Sequence, residues 1–158
     1  MSNEVTAQIR RMLHDAGVDF REIEHPPTYT SEESAHARGE ELGVGAKALL
    51  LRTEDSFRLF VLPADRKLDS AAVKRELGSK RVRFATPEEL FAETGLVPGS
   101  VPPFGKPILP FELFADSSIG TRYDRVAFNA GSLTLSIVML AADWERVARP
   151  KRFAFAKE

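Results

Sequence analysis

The sequence predicts an α+β fold in one domain, with a curved, mixed, mostly antiparallel sheet flanked by helices. Three observations carry this expectation. Helical and strand periodicities are interleaved without the strict βαβ alternation of a parallel sheet. Two apolar runs, KALLLRT and FRLFVLP, flank a short polar TEDS, the pattern of a hairpin over residues 47–62. A chain of 158 residues with 43% hydrophobic content supplies one ordinary core and too little length for two. Residues 1–158 are therefore expected to form one unit.

The elements follow in chain order. Ser2 and Asn3 can cap a first helix in which Val5, Ile9, Met12 and Leu13 recur on one face, with Gly17 closing it. VDFREIEH reads as extended, and His25-Pro26-Pro27 is a stiff connector. Thr30 to Glu33 has capping-box spacing and opens a short helix that fades near Gly39. After the hairpin, LDSAAVKRELG is a helix ending at Gly78, RVRFA an alternating strand, and Thr86-Pro87-Glu88-Glu89 a capped helix start. Residues 98–110 hold five of the ten prolines, which bars both helix and central strand and predicts a rigid, shaped loop. FELFAD, RVAFN and LTLSIVML are three further strands, before a closing helix from about Ala142 to Arg149 with Trp144 and Val147 facing the core.

Composition narrows the function. A formal net charge of −1 leaves an anionic partner to be met by a local patch, not by the summed field of the protein. Without cysteine there is no disulfide, thiolate nucleophile or Cys-type zinc site, which fits a reducing compartment, and the cytosol is the default. No apolar stretch approaches the ~20 residues that span a bilayer, and the N-terminus lacks a signal-type apolar region, so no membrane partner is expected. His14, His25 and His36 have no metal-ligand spacing, and neither a GxSxG elbow nor an HExxH helix accompanies them. GVGAK fails the phosphate-loop spacing, because Ala48 stands where Ser or Thr would follow the lysine. Glu32-Glu33 and Glu88-Glu89 sit where helix N-termini favour negative charge.

What remains is Lys47, placed between a glycine-rich turn and a buried strand where an ammonium is partly desolvated, together with the 98–105 loop and the FNAGS turn, Phe128 to Ser132. The ordered segments HPPTYTSEE, GAKALLL, LDSAAVKRELGSKRVRFATPEEL, PGSVPPFG and AFNAGSLTLSI resemble the YbaK family, free-standing relatives of the bacterial prolyl-tRNA synthetase editing domain, from about His25 to Trp144. The resemblance implies a mixed α+β editing fold and a metal-independent, cofactor-free aminoacyl-tRNA deacylase. Such an enzyme hydrolyses the ester between a wrong amino acid and tRNA, with a small amino acid on the proline tRNA as the expected substrate. It assigns the catalytic lysine to Lys47. It places substrate contacts at His25, Tyr29 and Thr30, along a GxxxP pocket loop comprising Gly99, Ser100, Val101, Pro102 and Pro103 with the adjoining Phe104, and at Asn129, Gly131 and Ser132 in a turn facing that pocket. Ala48 and Ser136 depart from residues common in relatives. The expected partners are the acceptor end of aminoacyl-tRNA and an aminoacyl-tRNA synthetase.

An aminoacyl ester is already activated, so a lysine and backbone donors suffice to orient water and stabilise an oxyanion. Lys47 could equally meet terminal phosphate or ribose oxygens. Plain structural roles compete at each position: a snorkelling strand-start lysine, a turn at Gly99 to Pro103, a helix cap at Thr30, a bare turn at Asn129 to Ser132. A non-catalytic module holding tRNA through Lys74, Arg75, Lys80, Arg81, Arg83, Arg146, Arg149, Lys151 and Arg152 is the alternative, and a synthetase-docking regulatory domain is a third.

Overall fold

The computed structural model describes residues 3–158. Helix α1 (Glu4–Asp15) starts where Asn3 Oδ1 accepts the Thr6 N–H at 2.8 Å, and it buries Ile9 and Leu13 completely. Ser2, the other expected cap, lies outside the described residues. Strand β1 (Phe20–Glu24) leads through the proline connector to α2 (Ser31–Arg38), capped by Thr30 and closed by Gly39 at φ +67°. One 3₁₀ turn, Leu42–Val44, precedes the hairpin of β2 (Ala46–Thr53) and β3 (Ser56–Pro63). Then come β4 (Lys67–Leu68), α3 (Ser70–Leu77), β5 (Val82–Phe84) and α4 (Pro87–Thr94). The remaining elements are β6 (Leu113–Asp116), β7 (Arg125–Asn129), β8 (Leu135–Leu140), α5 (Ala141–Ala148), β9 (Lys151–Phe153) and β10 (Ala156–Lys157).

The fold is α+β, as expected, but its strands are divided. A five-stranded sheet runs β5-β2-β3-β6-β9, a three-stranded antiparallel sheet runs β1-β8-β7, and β10 pairs with β4. All pairings are antiparallel except β3 with β6 and β6 with β9. The two larger sheets share one core that includes Ile9, Leu59, Val61, Phe128, Ile137 and Trp144. Among the described residues one parallel backbone bridge, Gly45 to Ala127, also joins them at the entrance to β2. The 98–110 segment is a loop, and it is anchored: Trp144 Nε1–H donates to the Pro103 carbonyl at 2.9 Å, while Phe104 meets Phe128 edge to face at 5.4 Å. That anchoring fixes where Gly99 and Val101 emerge. Among the described residues no helix is long and apolar enough to cross a membrane.

The C-terminal segment is tied down by a buried carboxylate. Asp116 accepts the backbone N–H groups of Phe155 at 2.7 Å, Ala156 at 2.8 Å and Ser118 at 2.9 Å. Burial pushes its pKa up, but the hydrogen bonds from Ser118, Phe155 and Ala156 outweigh this and hold it below the usual value. A depressed folded-state pKa contributes stability above the ordinary carboxylate range, and that contribution is lost as pH falls through the folded value. Asp116→Ala should therefore cost about 2–3 kcal/mol at neutral pH, or roughly 4–10 °C in Tm for a chain of this size. The gap to wild type should close on acidification, which thermal melts across acid and neutral pH would read.

Candidate active site

The bridge between the sheets sets the entrance of β2 beside α2 and the Gly99–Val101 stretch, and a cleft of about 220 Å³ opens between them. Among the described residues, Arg38 and Lys47 are the two charged ones in its lining, and no carboxylate lines it. Lys47 is half-buried near the start of β2, with Ala46 and Leu50 in the core on either side along the strand. Among the described residues no ion pair includes Lys47 or Arg38. The cleft thus offers positive charge without an ion-paired carboxylate in a small space.

A polar network sits behind it. Asn129, at the end of β7, and Ser136, inside the otherwise apolar β8, oppose each other. Buried polar groups require partners, and these are supplied by the last residue of α2. Arg38 Nε–H donates to Ser136 Oγ at 2.9 Å and an Nη2–H to Asn129 Oδ1 at 3.1 Å. Ser136 Oγ–H donates to Asn129 Oδ1 at 3.0 Å, and Asn129 Nδ2–H donates to the Gly99 carbonyl at 2.7 Å. The network therefore links the helix, the second sheet and the loop. Burial pushes the Arg38 pKa down to about 10, opposed by the charge of Glu40, so the guanidinium stays protonated at neutral pH.

Of the residues expected from sequence, Tyr29, Thr30, Lys47, Gly99, Val101 and Asn129 line the cleft. Tyr29 is exposed at its rim, its N–H donating to Glu33 Oε1 at 2.7 Å, so Glu33 serves Tyr29 and does not complete a capping box with Thr30. The other expected residues lie elsewhere. His25 stands one layer back, with Nε2 2.8 Å from Ser136 Oγ. Ser100 is buried and donates to the Val97 carbonyl at 2.8 Å, which shapes the turn. Pro102, Pro103 and Phe104 are drawn into the core by the Trp144 and Phe128 contacts, so Val101 is the loop's apolar contribution to the wall. Gly131 turns away from the cleft: its φ is +80°, a Cβ there would meet Val5 of α1 at 3.0 Å, and its carbonyl accepts from Asn3. Ser132 pairs with Thr134 at 3.0 Å and lines a separate hollow with His25. Ala48 lines the cleft, whereas Ser136 lies behind it in the network.

Arg38, Thr28 and Ser34 also line the cleft and were not singled out in the sequence. A cation in the last helical turn is explained by the helix dipole alone. The usable signal was elsewhere, in a serine inside an apolar strand and the asparagine opposite it, which had to find a donor.

A family model for the aminoacyl-tRNA editing domain matches residues 25–147. The chain belongs to the aminoacyl-tRNA editing domain family. All the cleft-lining residues of this editing domain fall within the matched span, and α1 falls before it. The chain is 35% identical over 151 residues to a protein of Escherichia coli K12 named multifunctional Ser/Thr-tRNA deacylase ProXp-y, covering 92% of this chain and 89% of that one. It is 26% identical to the prolyl-tRNA editing protein ProX of Acetoanaerobium sticklandii, covering 87% and 86%. A proline–tRNA ligase of Shouchella clausii matches 66% of this chain at 34% identity, over 18% of the ligase. Among solved structures, one provisionally assigned as a trans-editing enzyme for prolyl-tRNA synthetase superposes with a TM-score of 0.83 at 25% identity, covering 100% of both chains.

Proposed function

We propose that this editing domain acts in trans to hydrolyse the ester between a small, wrongly attached amino acid and the 3′ end of the proline tRNA, with Lys47 polarising the ester carbonyl. The observation that carries this reading is the composition of the cleft: two cations, no carboxylate, and a volume of about 220 Å³, below the ~300–1,000 Å³ of pockets that take drug-sized ligands. A water oxygen bonds to the carbonyl carbon and the C=O electron pair moves onto oxygen, where the Lys47 ammonium stabilises it. Collapse breaks the bond to the ribose oxygen, which leaves with the proton given up by the attacking water. The products are the free amino acid and tRNA with its 3′-terminal hydroxyl restored. The relatives named for prolyl-tRNA editing, and the match within a proline–tRNA ligase, support the choice of tRNA and an association with that synthetase. A panel of alanyl-, seryl-, cysteinyl-, prolyl- and phenylalanyl-tRNA tests the reading; stability of all five esters in the presence of the protein would overturn it.

The tRNA body needs its own contacts, and the surface cations are not equivalent. Arg83, Lys151, Arg152 and Arg146 are engaged with Glu89, Glu112, Glu145 and Asp143. Lys74, Arg75, Lys80 and Arg81 are exposed and have no ion pair among the described residues. Lys74 and Arg75 lie on α3, and Lys80 and Arg81 lead directly into β5, which pairs with the far end of β2 at Thr53, about 20 Å along the strand from Lys47. Reversing Lys80 and Arg81 to Glu should raise KM several-fold with little change in kcat. It should also reduce the slope of log affinity against log salt by about 1.4–1.8. A slope equal to that of wild type would remove these residues from the tRNA surface.

A further inference from the structure

We infer that Arg38 is a substrate-binding residue: its free guanidinium edge receives a negatively charged oxygen in the cleft, opposite no protein carboxylate. Two of its nitrogens are used by the protein, Nε on Ser136 and Nη2 on Asn129, and both partners are neutral. Among the described residues Nη1 has no hydrogen-bond partner, yet no fully buried side-chain nitrogen or oxygen is left unpaired there. Nη1 is therefore reached by solvent. It lies 3.6 Å from where a Cβ on Gly45 would sit, and Gly45 itself lines the cleft, so a side chain at 45 would crowd that edge.

A guanidinium fixed along one edge by neutral acceptors keeps its full charge and a rigid pair of donors on the other edge, the arrangement that suits carboxylate, phosphate or an oxyanion. A structural arginine would be expected to close its charge on an acid, and Glu40, the nearby candidate, is instead paired with Arg21 and Arg125. The negative oxygen has two possible sources in the substrate: the phosphate of the terminal nucleotide, or the ester carbonyl oxygen as it becomes an oxyanion. The inference rests on the deacylase reading for the identity of the ligand, but not for anion binding itself.

Two measurements separate these cases. The first titrates inorganic phosphate and adenosine 5′-monophosphate while following the backbone amide resonances of Gly45 and Gly99 in wild type, Arg38→Gln and Arg38→Lys. The second follows hydrolysis of an alanyl ester of adenosine, which carries no phosphate. A tenfold or greater weakening of both anions in Arg38→Gln, with ester hydrolysis unchanged, assigns the phosphate. A hundredfold or greater loss of turnover on the phosphate-free ester assigns the oxyanion. Arg38→Lys keeps the charge without the fork and should lie between wild type and Arg38→Gln, and it serves if Arg38→Gln does not fold. Anion binding that depends on Arg38 in a protein that cleaves no ester would keep this inference and sink the deacylase. If the folded variants match wild type in both measurements, Arg38 only braces Asn129 and the inference is wrong.

Discussion

Lys47→Ala is expected to slow deacylation turnover by about 10²–10³-fold while shifting stability by no more than about 1 kcal/mol. The two halves of that expectation have different origins. The ammonium is one of only two charges lining the cleft, so its removal leaves a developing oxyanion with a single cation and the water around it. The fold loses little, because Lys47 makes no ion pair among the described residues and its strand is held by eight residue pairings with β3. Lys47→Met keeps the apolar stem and removes only the charge, so it should behave as Lys47→Ala does in turnover and melt closer to wild type. Single-turnover deacylation, set beside thermal melts of all three proteins, measures both halves. Turnover unchanged in Lys47→Met would take the residue out of the chemistry.

The parts of the fold that could be read in the sequence are those whose signals are local. Asn3, Thr30, Asp69 and Thr86 cap the helices they precede, and the pair Glu54-Asp55 joins the hairpin strands with Glu54 at φ +57°. The strands without a sequence signal, β4, β9 and β10, are two or three residues long and charged, so they show no alternation, and they exist because a partner edge lies beside them. The division into two sheets was equally hidden. Nothing local tells β8 to pair with both β7 and β1, while β7 only bridges Gly45, the residue before β2.

The same distinction governs the site. Lys47 was conspicuous because a cation beside an apolar run has a cost that is visible in the sequence. Arg38 was not, since ninety-one residues separate it from Asn129 and ninety-eight from Ser136. The 98–105 loop misled in the opposite sense. Its prolines do make it rigid, but Trp144 pulls the second half inward, and only Gly99 and Val101 reach the cleft. The pocket contacts expected along the whole loop therefore give way to a narrower wall, formed by Val101 together with Ala46, Ala48 and Leu49 from β2.

That change decides how selectivity should be probed. Gly99→Val should be severe but uninformative about size: the residue has φ +89°, a region a β-branched side chain avoids, and its Cβ would meet Leu133 Cδ2 at 3.3 Å. Relief of the strain must move the carbonyl that Asn129 holds at 2.7 Å. We expect a loss of about 1–3 kcal/mol in stability and at least a tenfold fall in turnover on every substrate, with their ranking preserved. Ala48→Val is the clean test. Position 48 lies on a regular strand that favours β-branched residues, is half-buried and lines the cleft, so the added methyl groups occupy substrate space. A pocket rejects larger groups by clash far better than smaller ones by lost contact, where a methylene is worth about 1–3 kcal/mol. Wild type should therefore cleave alanyl- and seryl-tRNA much faster than prolyl- or phenylalanyl-tRNA, and Ala48→Val should depress seryl-tRNA by tenfold or more relative to alanyl-tRNA while melting near wild type. If phenylalanyl-tRNA is cleaved as fast as alanyl-tRNA, or if Ala48→Val leaves the ratio of seryl to alanyl rates where it was, the cleft walls do not select the amino acid and the choice is made through the tRNA.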